Sequence, residues 1–243
     1  MSRYECVRIC NGFERRYPLL IKESKEKTVL YEDVRRVEWE GKKGELNLEV
    51  VNNDCIDVMY GMVGEGYKPM MLNMASEIHP GGGWKKGSIA QEECLFYNST
   101  YHRCLTDEFY PLRLYNAVYS PFVYFFKYNG EVLHYEDWPA VACLAIPALR
   151  NPDSYRGKYS KDSDRKIMKE KIDSMFKIAL KNGHDSLILS AFGCGAFHNP
   201  VEEVASMFKD AVKRFGPYFK KIVFAIIDNE RTQNYSVFKK ALL

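Results

Sequence analysis

The sequence predicts an α/β fold in which a largely parallel, mixed central sheet is covered by helices on both sides. Three observations predict it. Several short runs are apolar throughout instead of alternating, which is how strands buried on both faces read. Amphipathic stretches with a 3.6-residue period separate them. No internal repeat, low-complexity tract or Pro/Gly/Ser linker divides the 243 residues, so a single domain spanning residues 1–243 is expected.

Residues 1 to about 45 are rich in charge, and Lys22 to Lys27 (KESKEK) reads as a solvated helix end. Leu46 to Val51 (LNLEVV) and Lys68 to Ala75 (KPMMLNMA) read as strands, and Asn116 to Phe126 as an extended run interrupted by Pro121. Trp138 to Ala148 carries the buried strand VACLAIPA, ending at Pro147. Over residues 164–182, Ile167, Met168, Ile172, Met175, Phe176, Ala179 and Leu180 fall on one helical face, with Gly183 as the stop. Ser186 to Ala191 (SLILSA) is a continuous apolar strand, Val201 to Phe215 a second helix, and Lys221 to Ile227 (KIVFAII) another buried strand.

Composition narrows the class. Hydrophobic content of 46% and charged content of 28% are those of an ordinary globular protein. No run approaches the roughly 20 apolar residues of a membrane span, and the first residues lack the apolar core of a signal peptide. Seven cysteines with no C-x-x-C pair (Cys6 and Cys10 are separated by three residues) fit free thiols in a reducing compartment, so a cytoplasmic location is expected, or a nuclear one in a eukaryote. A net charge of +3 is too small and diffuse to argue for duplex DNA.

Ligands of open α/β sheets bind beyond the carboxyl ends of the strands, and two glycine-rich loops lie there. The first holds Gly81-Gly82-Gly83, then seven residues, then Gln91-Glu92-Glu93. Glycine lets backbone approach a ligand closely, and the acidic pair delivers carboxylates to whatever that backbone holds. The second loop runs from Phe192 to Pro200 (FGCGAFHNP). Asn199 is placed as N-cap and Pro200 as first residue of the helix that follows, whose free N–H groups and dipole suit a diphosphate.

These residues resemble the macrodomain family and, within it, the microbial type of poly(ADP-ribose) glycohydrolase, whose hallmark is the glycine triplet followed by Gln-Glu-Glu. Asn73-Met74-Ala75-Ser76 resembles the family's Asn-rich strand end, Asn53-Asp54-Cys55 its adenine-site turn, and Phe192 to Pro200 its second phosphate loop. The resemblance covers roughly residues 45–240, with residues 1–45 as an N-terminal extension packed on the core. Ser76 stands where many macrodomains have Asn, and Phe192 where a Trp is expected.

The resemblance implies a three-layer α/β/α fold and hydrolysis of the ribose–ribose O-glycosidic bond of poly(ADP-ribose), releasing ADP-ribose. Glu93 would be the general acid/base, Glu92 would hydrogen-bond ribose hydroxyls, and Gln91 would position the loop. That role suits Glu93, because a partly desolvated carboxyl can keep its proton near neutral pH. Gly81, Gly82 and Gly83, with Gly193, Cys194, Gly195 and Ala196, would cradle the diphosphate, with Cys194 as small filler. Phe197 would pack beside the distal ribose. Asp54 either accepts from the adenine amino group or caps a turn, and Asn73 either faces the distal ribose or satisfies backbone at the strand end. His198 reads as a surface residue.

No cofactor is expected, and no metal, since His79 and His102 have no ligand-spaced partners. The expected partner is an ADP-ribose polymer or an ADP-ribosylated macromolecule, met by a monomer. Two alternatives remain: a hydrolase of mono-ADP-ribose on protein or nucleic acid, and an ADP-ribose-binding module without turnover. The intact Gln91-Glu92-Glu93 argues against the module.

Overall fold

A computed structural model of the chain describes residues 1–228 and 232–243. Its sheet strands are β1 (Val29–Tyr31), β2 (Asn47–Val51), β3 (Pro69–Met74), β4 (Ala117–Tyr124), β5 (Ala140–Ile146), β6 (Ser186–Leu189) and β7 (Lys221–Ala225). They form a mixed seven-stranded sheet in the order β1-β4-β5-β3-β6-β7-β2. The helices are α1 (Arg3–Arg16), α2 (Pro18–Glu26), α3 (Cys55–Gly64), α4 (Gln91–Tyr97), α5 (Tyr101–Cys104), α6 (Asp162–Lys181), α7 (Val201–Phe215) and α8 (Asn234–Leu242). The α/β class expected from the apolar strands is the class observed. No helix among the described residues is long and apolar enough to cross a membrane.

The chain divides into two compact units, residues 1–32 with 73–147 and residues 33–72 with 148–243. In the first, β4 pairs antiparallel with both β1 and β5. The register of β4 against β5 shifts between Ser120 and Val123. Pro121 lies in that interval and has no N–H to give the ladder, which explains the interruption. Both strands are almost wholly buried, so their burial pattern hides the antiparallel pairing. Ser2 caps α1 by accepting the Glu5 N–H at 3.2 Å. The helix then buries Cys6, Cys10 and Phe13 in a cluster with Ile21, Tyr124, Phe126 and Trp138. Phe13 stacks on Trp138 at 4.3 Å between ring centroids, so α1 and α2 complete the core of this unit.

In the second unit β6 pairs parallel with β3 and β7, and β7 with β2. Met168, Ile172, Met175, Phe176, Ala179 and Leu180 of α6 are buried as their spacing requires, and Gly183 ends the helix at φ +73. Phe208 of α7 meets Phe224 of β7 edge-on at 5.1 Å and Phe238 of α8 at 5.9 Å. Lys221, at the start of β7, is a buried cation. Glu65 at 3.0 Å and Glu49 at 3.2 Å compensate it.

Candidate active site

The end of β3, the glycine loop and the start of α4 belong to one unit and converge on two carboxylates. Gln91 Oε1 accepts the Met74 N–H at 3.0 Å and ties the first residue of α4 to the strand end. The next two residues thereby face the loop. Glu92 is 5% exposed and Glu93 7%.

Glu92 is fully engaged. Its Oε2 accepts the Ser76 N–H at 2.7 Å, while its Oε1 accepts the Gly81 N–H at 3.1 Å and Asn73 Nδ2 at 3.3 Å. Burial outweighs these donors and pushes the Glu92 carboxyl up to about 8, with the neighbouring charge of Glu93 acting in the same direction as burial. Glu93 is held by one oxygen only. Its Oε1 accepts the Gly83 N–H at 2.7 Å, and its Oε2 is buried with no hydrogen-bond partner.

The glycine triplet has a different use from the one its sequence suggests. Its three N–H groups go to Glu92, to the His79 carbonyl at 3.1 Å and to Glu93, so none is free for a diphosphate. Gly82 sits at φ +54, and a Cβ there would lie 2.5 Å from Glu93 Oε1 and 3.1 Å from Glu92 Oε2. The triplet is therefore the bed on which the two acids rest. Only glycine lets backbone come that close to them.

Further buried polar atoms surround the pair without partners. They are Asn73 Oδ1 and the hydroxyls of Tyr101 and Tyr110. Burial pushes both tyrosines up, and the Glu92 carboxyl nearby opposes their ionisation. Buried polar atoms left unpaired cost free energy, so this group of neutral hydroxyls, amide oxygen and carboxylate oxygen is arranged for a polar guest. Asn73 donates its nitrogen to the Glu92 carboxyl and not to backbone at the strand end, and its oxygen is unpaired. The tyrosines escape sequence reasoning because only their hydroxyl tips are polar. An aromatic residue in a sequence otherwise reads as core.

The second loop lies in the other unit. Gly193 takes φ +75, where a Cβ would lie 2.5 Å from the Ala148 Cβ and 2.6 Å from Asn199 Nδ2. Asn199 is not the N-cap. The helix starts at Val201 after Pro200, with no side-chain cap. Asn199 is a buried staple of the loop instead. Its Nδ2 donates to the carbonyls of Leu149 (2.7 Å), Gly193 (3.0 Å) and Phe197 (3.3 Å), and its Oδ1 accepts the Tyr159 hydroxyl at 2.9 Å.

Gly195 is exposed, has ordinary negative φ and has nothing within 4 Å of a would-be Cβ. Neither conformation nor packing within the chain demands glycine there. The half-buried Phe197 ring lies 4.1 Å beneath the Arg150 guanidinium. Burial pushes the Cys194 thiol upward, which fits a filler and not a nucleophile. His198 is exposed at φ +54. Asp54 is the N-cap of α3, its Oδ1 accepting the Ile56 N–H at 2.7 Å, so the capping alternative is the one the structure displays.

Residues 11–128 match the profile of the family described as microbial-type PARG, catalytic domain. The match begins well before residue 45, in keeping with the packing of α1 and α2 in the core of their unit. Among solved structures, the chain is similar to poly(ADP-ribose) glycohydrolase from Thermomonospora curvata, with a TM-score of 0.80 and 26% identity over 91% of this chain and 88% of that one. The same enzyme bound to the inhibitor ADP-HPD gives a TM-score of 0.73 and 25% identity over 91% and 87%. Poly(ADP-ribose) glycohydrolase from Deinococcus radiodurans in complex with ADP-ribose shares the fold, at a TM-score of 0.75 and 24% identity over 91% of this chain and 96% of that one. No curated protein matches the sequence.

Proposed function

From the microbial-type PARG catalytic domain matched at residues 11–128, we infer that this chain is a poly(ADP-ribose) glycohydrolase that hydrolyses the ribose–ribose O-glycosidic bond and releases ADP-ribose. One observation carries the chemistry: Glu93 is buried, fixed by Gly83 through one oxygen, and has its other oxygen unpaired. That oxygen protonates the departing ribose oxygen. The sugar left behind is an oxocarbenium-like cation. The same carboxylate then takes a proton from the attacking water and is regenerated as the acid.

Glu92 is a positioning residue in this scheme. Both its oxygens are occupied by Ser76, Gly81 and Asn73, so it fixes the strand end and glycine loop against Glu93. Burial holds it neutral, so it acts on the acid through position and not through charge. The unpaired groups of Asn73, Tyr101 and Tyr110 are assigned to hydrogen bonds with ribose hydroxyls or the attacking water. The backbone of the loop at the exposed Gly195 and Ala196 and at Phe197 is assigned to a diphosphate, in the manner of anion sites built from backbone.

The test is direct. The protein is incubated with poly(ADP-ribose) and, separately, with mono-ADP-ribosylated protein, and free ADP-ribose is measured. Release from the polymer is expected. Release from the mono-modified protein alone would replace this assignment with a mono-ADP-ribosyl hydrolase. Binding of ADP-ribose without release from either substrate would leave a binding module.

A further inference from the structure

The unit that holds the two glutamates carries a second cluster that the reaction does not use. Cys6 and Cys10 are one helical turn apart on the same face of α1, the i,i+4 spacing that brings side chains together. His102, on α5, completes the group. The two sulfurs and the nearest ring nitrogen all lie within 4.8 Å of one another. Both cysteines are 0% exposed and unbridged. Both ring nitrogens of His102 are buried with no hydrogen-bond partner. The expectation that His102 lacks ligand-spaced partners is therefore corrected: its partners are about 90 residues away in sequence and adjacent in space.

We propose that Cys6, Cys10 and His102 form a site for a thiophilic closed-shell cation, Zn²⁺ or Cu⁺. The ligand set is soft: two thiolates and an imidazole, the donors those ions select. The distances suit it. Two sulfurs each about 2.3 Å from a tetrahedral ion stand about 3.8 Å apart, so a donor pair at 4.8 Å needs to close by only about 1 Å. Charge also suits it. Two thiolates neutralise Zn²⁺ within the buried space, and the nearby Arg103 guanidinium already pairs with Glu14 at 3.1 Å. The thiols donate to backbone carbonyls, Cys6 to Phe96 at 3.1 Å and Cys10 to Ser99 at 3.6 Å. Binding would release those two protons, as thiolate sites do.

The ion would clamp α1 to the segment that follows α4. Its anchor on that side, His102, lies with its ring 5.4 Å from that of Trp84, the residue after the glycine triplet. The site thus lies outside the acid–base chemistry and next to the loop that performs it.

The experiment uses the reduced, chelator-stripped full-length chain, titrated with Co²⁺ as a spectroscopic stand-in for Zn²⁺, with Zn²⁺ itself, and with Cu⁺ against a competing Cu⁺ chelator. The expected result is one ion per chain, with thiolate-to-cobalt charge-transfer absorption. Cys10→Ser and His102→Ala should each weaken binding by ~100-fold or more, while Cys55→Ala, in the other unit, leaves it unchanged. The tighter of the Zn²⁺ and Cu⁺ arms identifies the ion. Absence of stoichiometric binding by the wild type, or wild-type affinity in both site variants, overturns the proposal. The wild-type titration decides the matter even if a variant fails to fold.

Discussion

Removal of the titratable group at Glu92 tests the electrostatic arrangement of the site. Glu92 carries a proton up to about 8 in the folded protein against an ordinary value of 4.5. Between those values the native state binds one proton more than the unfolded state. Stability therefore falls as pH rises, by about 1.4 kcal/mol per pH unit from this group. Its contribution is fully present below the unfolded value and is lost as pH rises through the folded one. Glu92→Gln cannot titrate yet leaves every other ionisable group in place, so the wild-type and variant curves should converge by about 2.7 kcal/mol between pH 5 and pH 7. For a chain of this size that corresponds to roughly 5–10 °C of relative Tm. The variant will be less stable overall, because its amide nitrogen must face the N–H donors of Ser76, Gly81 or Asn73. The slope difference is unaffected by that offset. Calorimetric melting of both proteins across this range makes the measurement. Parallel curves would show that the three donors overcome burial and hold Glu92 ionised, which would refute the reasoning.

Three further outcomes are expected. Glu93→Gln keeps the acceptor for the Gly83 N–H but cannot supply a proton, so turnover of poly(ADP-ribose) should fall on the order of 10²–10⁴-fold in a release assay, while ADP-ribose affinity by calorimetry changes little. Gly195→Val meets nothing within 4 Å, so its Tm should match wild type while ADP-ribose affinity drops; unchanged affinity would remove this loop from the ligand. Asn199→Ala takes the partner from the Leu149 carbonyl and the Tyr159 hydroxyl, while the Gly193 and Phe197 carbonyls keep the backbone N–H groups of Asn199 and Asn151, and a loss of about 2–4 kcal/mol in denaturant unfolding is expected.

The elements that were legible in the sequence are those whose pattern needs no partner to interpret. The apolar runs at β3, β5, β6 and β7 and the faces of α6 and α7 fall within a few residues of their expected places. Pro121 marks the irregularity of β4. What stayed hidden depends on tertiary partners. α3 is apolar apart from Asp57 and holds Gly61 and Gly64, so neither period nor propensity announces it, and its cap Asp54 could be read as a ligand residue. α1 reads as charged because its buried side is only Cys6, Cys10 and Phe13. At the site, the pairing of the glycine triplet with Gln91-Glu92-Glu93 was legible as a motif, but not that its amides serve the carboxylates. Asn199 and the two tyrosines show the same limit. A polar side chain declares its chemistry in sequence, whereas its recipient is set by residues far along the chain.

The fit between Gly82 and the two acids has a consequence for moving this chemistry elsewhere. Loop and helix start are one component, since the amides on one side fix the carboxylates on the other, and neither half keeps its geometry alone. A designer who grafts Glu92 and Glu93 onto another scaffold without residues 81–83 would obtain two carboxylates with no fixed orientation. Grafting the triplet alone would yield a slack turn. The transferable module runs from Asn73 to Glu93, and laboratory evolution should vary the exposed Lys85, Lys86 and Ile89 far more freely than the buried Trp84 or either half.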